Sequence, residues 1–303
     1  AALKEAMLHS THFHLPAWAA KALGNIGSDT AKAALREALV LRHDHAWLRL
    51  SAAKALGKLG SKEAVPALKE LMVNPNKDSV VIGAIEALGN IPSEEAVASL
   101  RDAVPALKEM LVNGDTDWSL RATSAEALGK LGSQEAVAAL KEGLESPQVS
   151  ISHRAYAAKA LGKAGSEEAV AALNKAVPAF REASAYPEPS SFWVALGNAG
   201  SKEAVPALTE LLEKPQLPYS NNIRKRAAKA LGNVGSTEAV AALKGALENP
   251  EVHTWVRERA ADALGKVGSK EAEAALREVS ERRDMNWWIR ARAKKALGKS
   301  GSK

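Results

Sequence analysis

Three apolar residues, Val65, Leu68 and Leu71, stand three apart in the run EAVPALKELM. That spacing gathers side chains on one face of an α-helix and leaves the intervening polar positions on the other. The run recurs in longer blocks. ALGKLGSKEAVPALKEL covers Ala55 to Leu71, ALGKLGSQEAVAALKEGL covers Ala127 to Leu144, and ALGNVGSTEAVAALKGAL covers Ala230 to Leu247. Ahead of each amphipathic run lies a stretch rich in alanine, leucine and lysine, all strong helix formers, such as RAAKALGNVG from Arg226 to Gly235. Its glycines are expected to stop the first helix, because glycine accepts the left-handed backbone found there. A serine follows at positions such as Ser61, Ser93, Ser133, Ser166, Ser201, Ser236 and Ser269, with a glutamate two places on. The serine can cap the next helix and the glutamate favours its positive end. Pro66 and Pro206 fall where only a first turn tolerates proline. Each copy therefore predicts two helices joined by a tight corner.

The glycine of ALG serves as a ruler. It falls at Gly24, Gly57, Gly89, Gly129, Gly162, Gly197, Gly232, Gly265 and Gly298, in steps of 33, 32, 40, 33, 35, 35, 33 and 33. A unit of this size cannot bury its own apolar face, whereas stacked units can. The expected fold is all-α: a right-handed alpha-solenoid of antiparallel helix pairs, with about nine short repeats forming one array over 1–303. The units run roughly 1–8 (partial), 9–40, 41–73, 74–113, 114–145, 146–184, 185–213, 214–248, 249–280 and 281–303 (partial). Two units are irregular. Val97 and Val104 are seven apart, as are Val170 and Val177, so each second helix holds an inserted heptad that nearly keeps its buried face in register. A kink or break is expected before Pro105 and before Pro178. Pro187 and Pro189 should shorten the following helix to a start near Ser190 or Ser191.

The repeat with the fullest pattern, WVRERAADALGKVGSKEAEAAL from Trp255 to Leu276, resembles the short HEAT repeats of the phycobilin-lyase type. Arg49, Arg121, Arg154, Arg224, Arg257 and Arg290 lie eight before their ruler glycines, where that repeat usually carries arginine. The chain is similar also to consensus-engineered HEAT-like binding scaffolds, although its uneven steps depart from a strictly regular consensus. The TPLHxA signature of ankyrin repeats and the spaced Trp and Tyr of tetratricopeptide repeats are missing. The resemblance implies a structural framework put to varied uses: bilin lyase subunits, sensor arrays, or scaffolds whose varied helix face, expected to be concave, binds a partner. The His-Glu pairs of iron-binding HEAT-repeat hydroxylases are absent.

Composition narrows the chemistry. With no cysteine, disulfide frameworks, thiolate metal sites and cysteine nucleophiles are excluded. The net charge of +6 comes from interspersed signs, which fits a solvated mixed-charge surface better than a nucleic-acid footprint. No apolar run approaches the roughly 18 residues that would span a bilayer, and no signal peptide is visible; no membrane partner and a cytoplasmic location are expected. No phosphate-binding loop, nucleophile elbow or dinucleotide turn occurs, so no catalytic residue and no cofactor are assigned. His12, His14, His43 and His45 with Asp44 have suitable ligand types for a metal but no diagnostic spacing, so no metal site is assigned. Ala1 to Leu8 matches the later part of a second helix, and the sequence stops as another should begin; a longer array or self-association of uncapped ends is expected.

The framework holds almost no aromatics. All seven tryptophans lie in the variable segments between framework blocks or at the start of first helices. Aromatics concentrated on a varied stripe mark a recognition surface, because they bury large areas at low entropic cost. Trp47, Trp255 and Trp288 stand ten before their rulers, beside Leu48, Val256 and Ile289, which should be buried. The position six before includes Trp18, Tyr156, Arg226, Arg259 and Arg292. The candidate partner-binding set is His14, Trp18, Trp47, Trp118, Tyr156, Trp193, Tyr219, Arg226, Trp255, Arg259, Trp287, Trp288 and Arg292. The expected function is non-enzymatic recognition of a protein or peptide. The alternatives are a bilin lyase or bilin chaperone, with Asp115 and Asp117 beside Trp118 as its candidate acids, and nucleic-acid binding through the basic C-terminal stripe.

Overall fold

The computed structural model describes residues 1–10, 12, 14–40, 46–73, 78–182, 190–213 and 220–300, and every regular element among them is helical. The chain forms two compact units, Ala1–Gly143 and Leu144–Lys303. The first holds α1 (Ala2–His9), α2 (Leu15–Ile26), α3 (Asp29–Val40), α4 (Ala46–Lys58), α5 (Val65–Val73), α6 (Asp78–Leu88), α7 (Glu94–Asp102), α8 (Val104–Val112), α9 (Trp118–Leu131) and α10 (Gln134–Glu145). Here α2, α4, α6 and α9 pack side by side as first helices, while α1, α3, α5 and α7 form the second layer. The second unit holds α11 (Ile151–Ala164), α12 (Glu167–Glu182), α13 (Ser190–Asn198), α14 (Val205–Glu213), α15 (Ser220–Val234), α16 (Thr237–Glu248), α17 (Thr254–Val267), α18 (Lys270–Glu281) and α19 (Trp287–Ser300). Its first-helix row is α11, α13, α15, α17 and α19, backed by α12, α14, α16 and α18. Within each unit this is the layered helix pairing of an alpha-solenoid.

The two glycines of each corner do different work, which corrects the expectation that both are stops. The second one is the stop: Gly132, Gly165, Gly235 and Gly268 take φ between 57° and 64° and donate their N–H to a leucine carbonyl one turn back. The ruler glycine usually lies inside the helix, where it permits close approach. A Cβ on Gly232 would lie 2.8 Å from the Cβ of Ala263 on the next first helix, and one on Gly197 would lie 2.5 Å from the Cα of Ala230. The alanine two before one ruler thus faces the ruler of the preceding repeat.

Ser93, Ser236 and Ser269 accept an N–H from the third residue of the second helix, as expected of caps. The glutamate two places on is held below its ordinary pKa at Glu238 and Glu271, first by its own backbone N–H and then by the serine hydroxyl. The arginine eight before the ruler closes the opposite end. Arg224 Nε donates to the Leu212 carbonyl at 2.8 Å and Arg257 Nε to the Leu247 carbonyl at 2.9 Å, both in the last turn of the preceding second helix. Arg121 donates to the Asn113 carbonyl just past α8 and Arg290 to the Ser280 carbonyl in the last turn of α18, while Arg154 donates to the Val149 carbonyl just ahead of α11. The last carbonyls of a helix, such as those of Leu212 and Leu247, have no partner within their own helix, and a guanidinium suits the negative end of the dipole.

The inserted heptads behave differently. Before Pro105 the helix breaks at Ala103, as expected, and α8 starts afresh with the proline in its first turn. Pro178 lies inside an unbroken α12, against expectation. Phe180, just beyond it, is fully buried and stacks on Phe192 of α13 with ring centroids 3.8 Å apart. Burial of that ring holds the last turn in place despite the ladder bond that proline removes. As the prolines at 187 and 189 imply, α13 is short and begins at Ser190.

Candidate recognition face

The first turn of a first helix presents its tryptophan while its neighbour anchors it. Leu48, Val256 and Ile289 are buried as expected, while Trp47, Trp255 and Trp288 beside them are between 50% and 61% exposed. Short side chains outside the helix fix the turn: Asp117 accepts the N–H of Ser119, His253 Nδ1 that of Trp255, and Asn286 that of Trp288. Trp18, Trp118 and Trp287 are likewise more than half exposed. In the first unit the exposed indoles are thus Trp18, Trp47 and Trp118; in the second they are Trp255, Trp287 and Trp288.

Several of these groups are partly engaged. The His14 ring stacks on Trp18 at 6.1 Å, and half-buried Tyr156 stacks on His153 at the same distance. Lys225 of α15 places its ammonium 4.5 Å from the Trp255 ring centroid. Trp287 and Trp288 meet edge to face, and Trp288 Nε1 donates to Glu258 of α17. Arg292 makes two bonds to the Asp262 carboxylate, which Arg259 also approaches at 3.2 Å. Arg226 is exposed. The structure therefore brings Arg226, Trp255, Arg259, Trp288 and Arg292 into one stretch of α15, α17 and α19. Tyr219 lies outside the described residues, as do His43, Asp44 and His45.

Trp193 is the correction. It is fully buried, packed edge-on against Phe192, so it cannot line a surface. It stands four before its ruler, a column that in six other repeats holds a buried alanine (Ala20, Ala53, Ala125, Ala158, Ala228 and Ala261) and in another the buried Ile85. That column was readable in the sequence and would have placed Trp193 in the core. Asp117, a candidate acid for bilin, is instead a helix cap: its pKa is lowered first by the Ser119 hydroxyl and then by the Ser119 backbone N–H.

A family model for HEAT repeats matches residues 1–89, 39–104, 82–152 and 194–254. The chain belongs to the HEAT-repeat family. A second model, PBS lyase HEAT-like repeat, matches 154–177 and 256–282. No curated protein matches the sequence. Among solved structures, the HEAT array is similar to the Kap95 chain of a Kap95:Nup1 complex, at 11% identity over 99% of this chain and 45% of that one, with a TM-score of 0.60. It is similar also to the CpcE–CpcF complex of phycocyanin lyase from Nostoc sp. PCC7120, at 22% identity over 98% of this chain and 93% of that one, with a TM-score of 0.46. Human deoxyhypusine hydroxylase in complex with glycerol aligns at 20% identity over 100% and 96% of the two chains, with a TM-score of 0.35. At 11% identity the likeness to Kap95 speaks to fold alone. No helix among the described residues is long and apolar enough to cross a membrane.

Proposed function

We propose that this HEAT-repeat chain is a non-enzymatic recognition scaffold that binds a protein or peptide across the exposed first turns of its first helices. One observation carries the reading: Trp18, Trp47, Trp118, Trp255, Trp287 and Trp288 all stand at least half exposed on first helices, in a molecule whose framework is otherwise alanine and leucine. Scattered single apolar residues need no explanation, but the largest apolar side chain repeated on one kind of element does. Tryptophan supplies much contact area with few rotamers to freeze. The framework fixes spacing between repeats, and the varied first turns carry specificity.

The test is affinity capture from the source organism by the intact chain and by a variant with Trp47, Trp118, Trp255 and Trp288 changed to alanine, with captured proteins identified by mass spectrometry and then rebound as purified components. A purified partner bound by the intact chain and lost by the variant supports the proposal. Equal binding by both refutes it. Coexpression with a linear tetrapyrrole tests the pigment-handling alternative; retained visible absorbance by the purified chain would favour that reading instead.

A further inference from the structure

We infer that the cleft between α15 and α17 receives carboxylate side chains from an acidic segment of a protein partner; the inference rests on the recognition-scaffold reading and adds the chemistry of the partner. The cleft encloses about 280 Å³ and is lined by Lys225, Arg226, Lys229, Arg259 and Lys266, with Asp262 the one carboxylate among its charged walls.

The pairing of these charges is what distinguishes the cleft from ordinary solvated surface. At the same register elsewhere in the array, a cation facing the next first helix can meet a carboxylate there. Lys54, three before its ruler on α4, contacts Glu86, three before the ruler on α6, at 2.9 Å. Lys229 and Asp262 occupy the same two register positions on α15 and α17. Here, however, Asp262 is taken by Arg292 from α19 and by Arg259. One carboxylate already serves two guanidiniums. Among the described residues, neither Arg226 nor Lys229 has a carboxylate within 4.0 Å. Lys266 is held by the neutral side-chain oxygen of Asn233, which leaves its charge uncompensated. Arg226, Lys229, Arg259 and Lys266 are all exposed.

The shape of the charge distribution selects a protein over a nucleic acid. A phosphate backbone is held by several successive cations. The corresponding positions carry Tyr156 and Lys159 on α11 but Ser191 and Val194 on α13, so the row of cations is broken before α15, and Glu258 interrupts it on α17. The cleft sets its cations beside the exposed ring of Trp255, which offers apolar area to a neighbouring side chain. A carboxylate flanked by an apolar residue matches that pair of features, and guanidinium binds carboxylate with directional hydrogen bonds.

The experiment uses the full chain and three probes: a fluorescein-labelled peptide of Glu, Asp and Leu, the same peptide with Gln and Asn in place of the acids, and a labelled single-stranded oligonucleotide of the same charge. Fluorescence anisotropy should show binding of the acidic peptide and none of the amide version. Arg226→Ser with Lys229→Ser should weaken binding about tenfold or more. Lys163→Ser with Lys270→Ser, which removes the same net charge elsewhere in this unit, should leave it unchanged. Arg226→Glu with Lys229→Glu should instead bind the peptide in which lysine replaces the acids. Unchanged thermal melts would verify that the variants fold. Equal weakening by both serine pairs would overturn the inference, as would tighter binding of the oligonucleotide with a steep salt dependence. If the Arg226/Lys229 variant still binds a captured partner fully while the tryptophan variant does not, this inference fails and the recognition face stands. If both variants bind fully, both proposals fail.

Discussion

Replacing Gly232 with alanine should destabilise the second unit even though it improves the helix. Away from tertiary contacts, glycine to alanine in a helix gains about 1 kcal/mol. The new methyl, however, would sit 2.8 Å from Ala263 Cβ, 3.1 Å from its Cα and 3.3 Å from its carbonyl oxygen, against an ordinary separation of about 3.5–4.0 Å between carbons. Forcing a methyl into a packed interface costs about 1–3 kcal/mol or more. Set against that gain, a net loss of up to about 2 kcal/mol is expected for Gly232→Ala. Gly197→Ala should lose more, because its methyl would meet Ala230 backbone, Cα at 2.5 Å and O at 2.7 Å, which cannot move aside without shifting α15. Gly245 supplies the control: it lies in α16 with nothing within 4 Å of an added Cβ, so Gly245→Ala should stabilise by up to about 1 kcal/mol.

The decisive comparison is rescue. Ala263→Gly removes the methyl that Gly232→Ala strikes first, so the double variant only moves the methyl from one helix to its neighbour. A favourable coupling of about 1–2 kcal/mol is expected, within the range for residues in contact. Ala230→Gly should rescue Gly197→Ala much less, since the offending backbone atoms remain. Urea unfolding followed by far-ultraviolet circular dichroism would measure all five substitutions and both pairs, with an unchanged m-value required for each comparison because repeat arrays can lose two-state behaviour. If Gly232→Ala is as stabilising as Gly245→Ala, or if the two pairs show equal coupling, the close-approach account of the ruler glycine is wrong.

Arg257→Met should cost about 1–3 kcal/mol in unfolding free energy, because it leaves the buried end of α16 without its donor, whereas exposed Arg226→Met should change stability by less than about 0.5 kcal/mol. Trp193→Ala should cost about 3–5 kcal/mol and Trp193→Phe much less, since among the described residues the indole N–H has no hydrogen-bond partner to lose; acrylamide quenching of Trp193→Phe should show that the most protected fluorescence has gone. Glu238 and Glu271 have folded pKa values depressed from 4.5, so their contribution is fully present above that pH and is lost as pH falls through the lower folded values. The melting temperature should therefore drop below about pH 4.5, and Glu238→Gln with Glu271→Gln should flatten that drop.

The helical pairing was legible because its signals are local and repeated. An apolar face at helical spacing, a serine cap and a terminal glycine say the same thing in most copies, and the structure agrees at Ser236 with Gly235 and at Ser269 with Gly268. The roles of the two glycines were not separable by local reasoning: one needs a left-handed backbone, the other needs the absence of a methyl facing Ala263, and only packing between repeats distinguishes them. Pro178 shows the same limit. Its local cost argues for a break, and the burial of Phe180 against Phe192 overrides it. At the face, the anchoring of Trp255 by buried Val256 followed from adjacent positions pointing apart on a helix. Trp193 was misplaced because its segment was read as variable; its column, alanine in six of the other repeats, carried the truer signal. The competition of Arg259 and Arg292 for Asp262 had no sequence signature, since it depends on which neighbouring helix a carboxylate turns toward.

These observations explain why variation collects where it does. Along a first helix, the ruler glycine, the alanine two before it, the small residue four before it and the arginine eight before it are each fixed by a neighbour: a facing methyl, a packed backbone or an orphan carbonyl. Any change there alters the spacing between repeats. The positions three, six and ten before the ruler lie outside that close packing, with only surface contacts to a neighbour such as Lys54–Glu86 and Trp288–Glu258, and Lys229, Arg226 and Trp255 occupy them. A substitution there changes what the array presents without changing how it stacks, so the framework can stay nearly constant while its exposed chemistry diverges from repeat to repeat. The exposed tryptophans persist under no packing constraint that the framework imposes. Trp193, the one indole that does pack, sits at a constrained position, in the unit whose helices are irregular. The separation between obligatory and free positions is what makes the exposed indoles evidence for recognition rather than for stability.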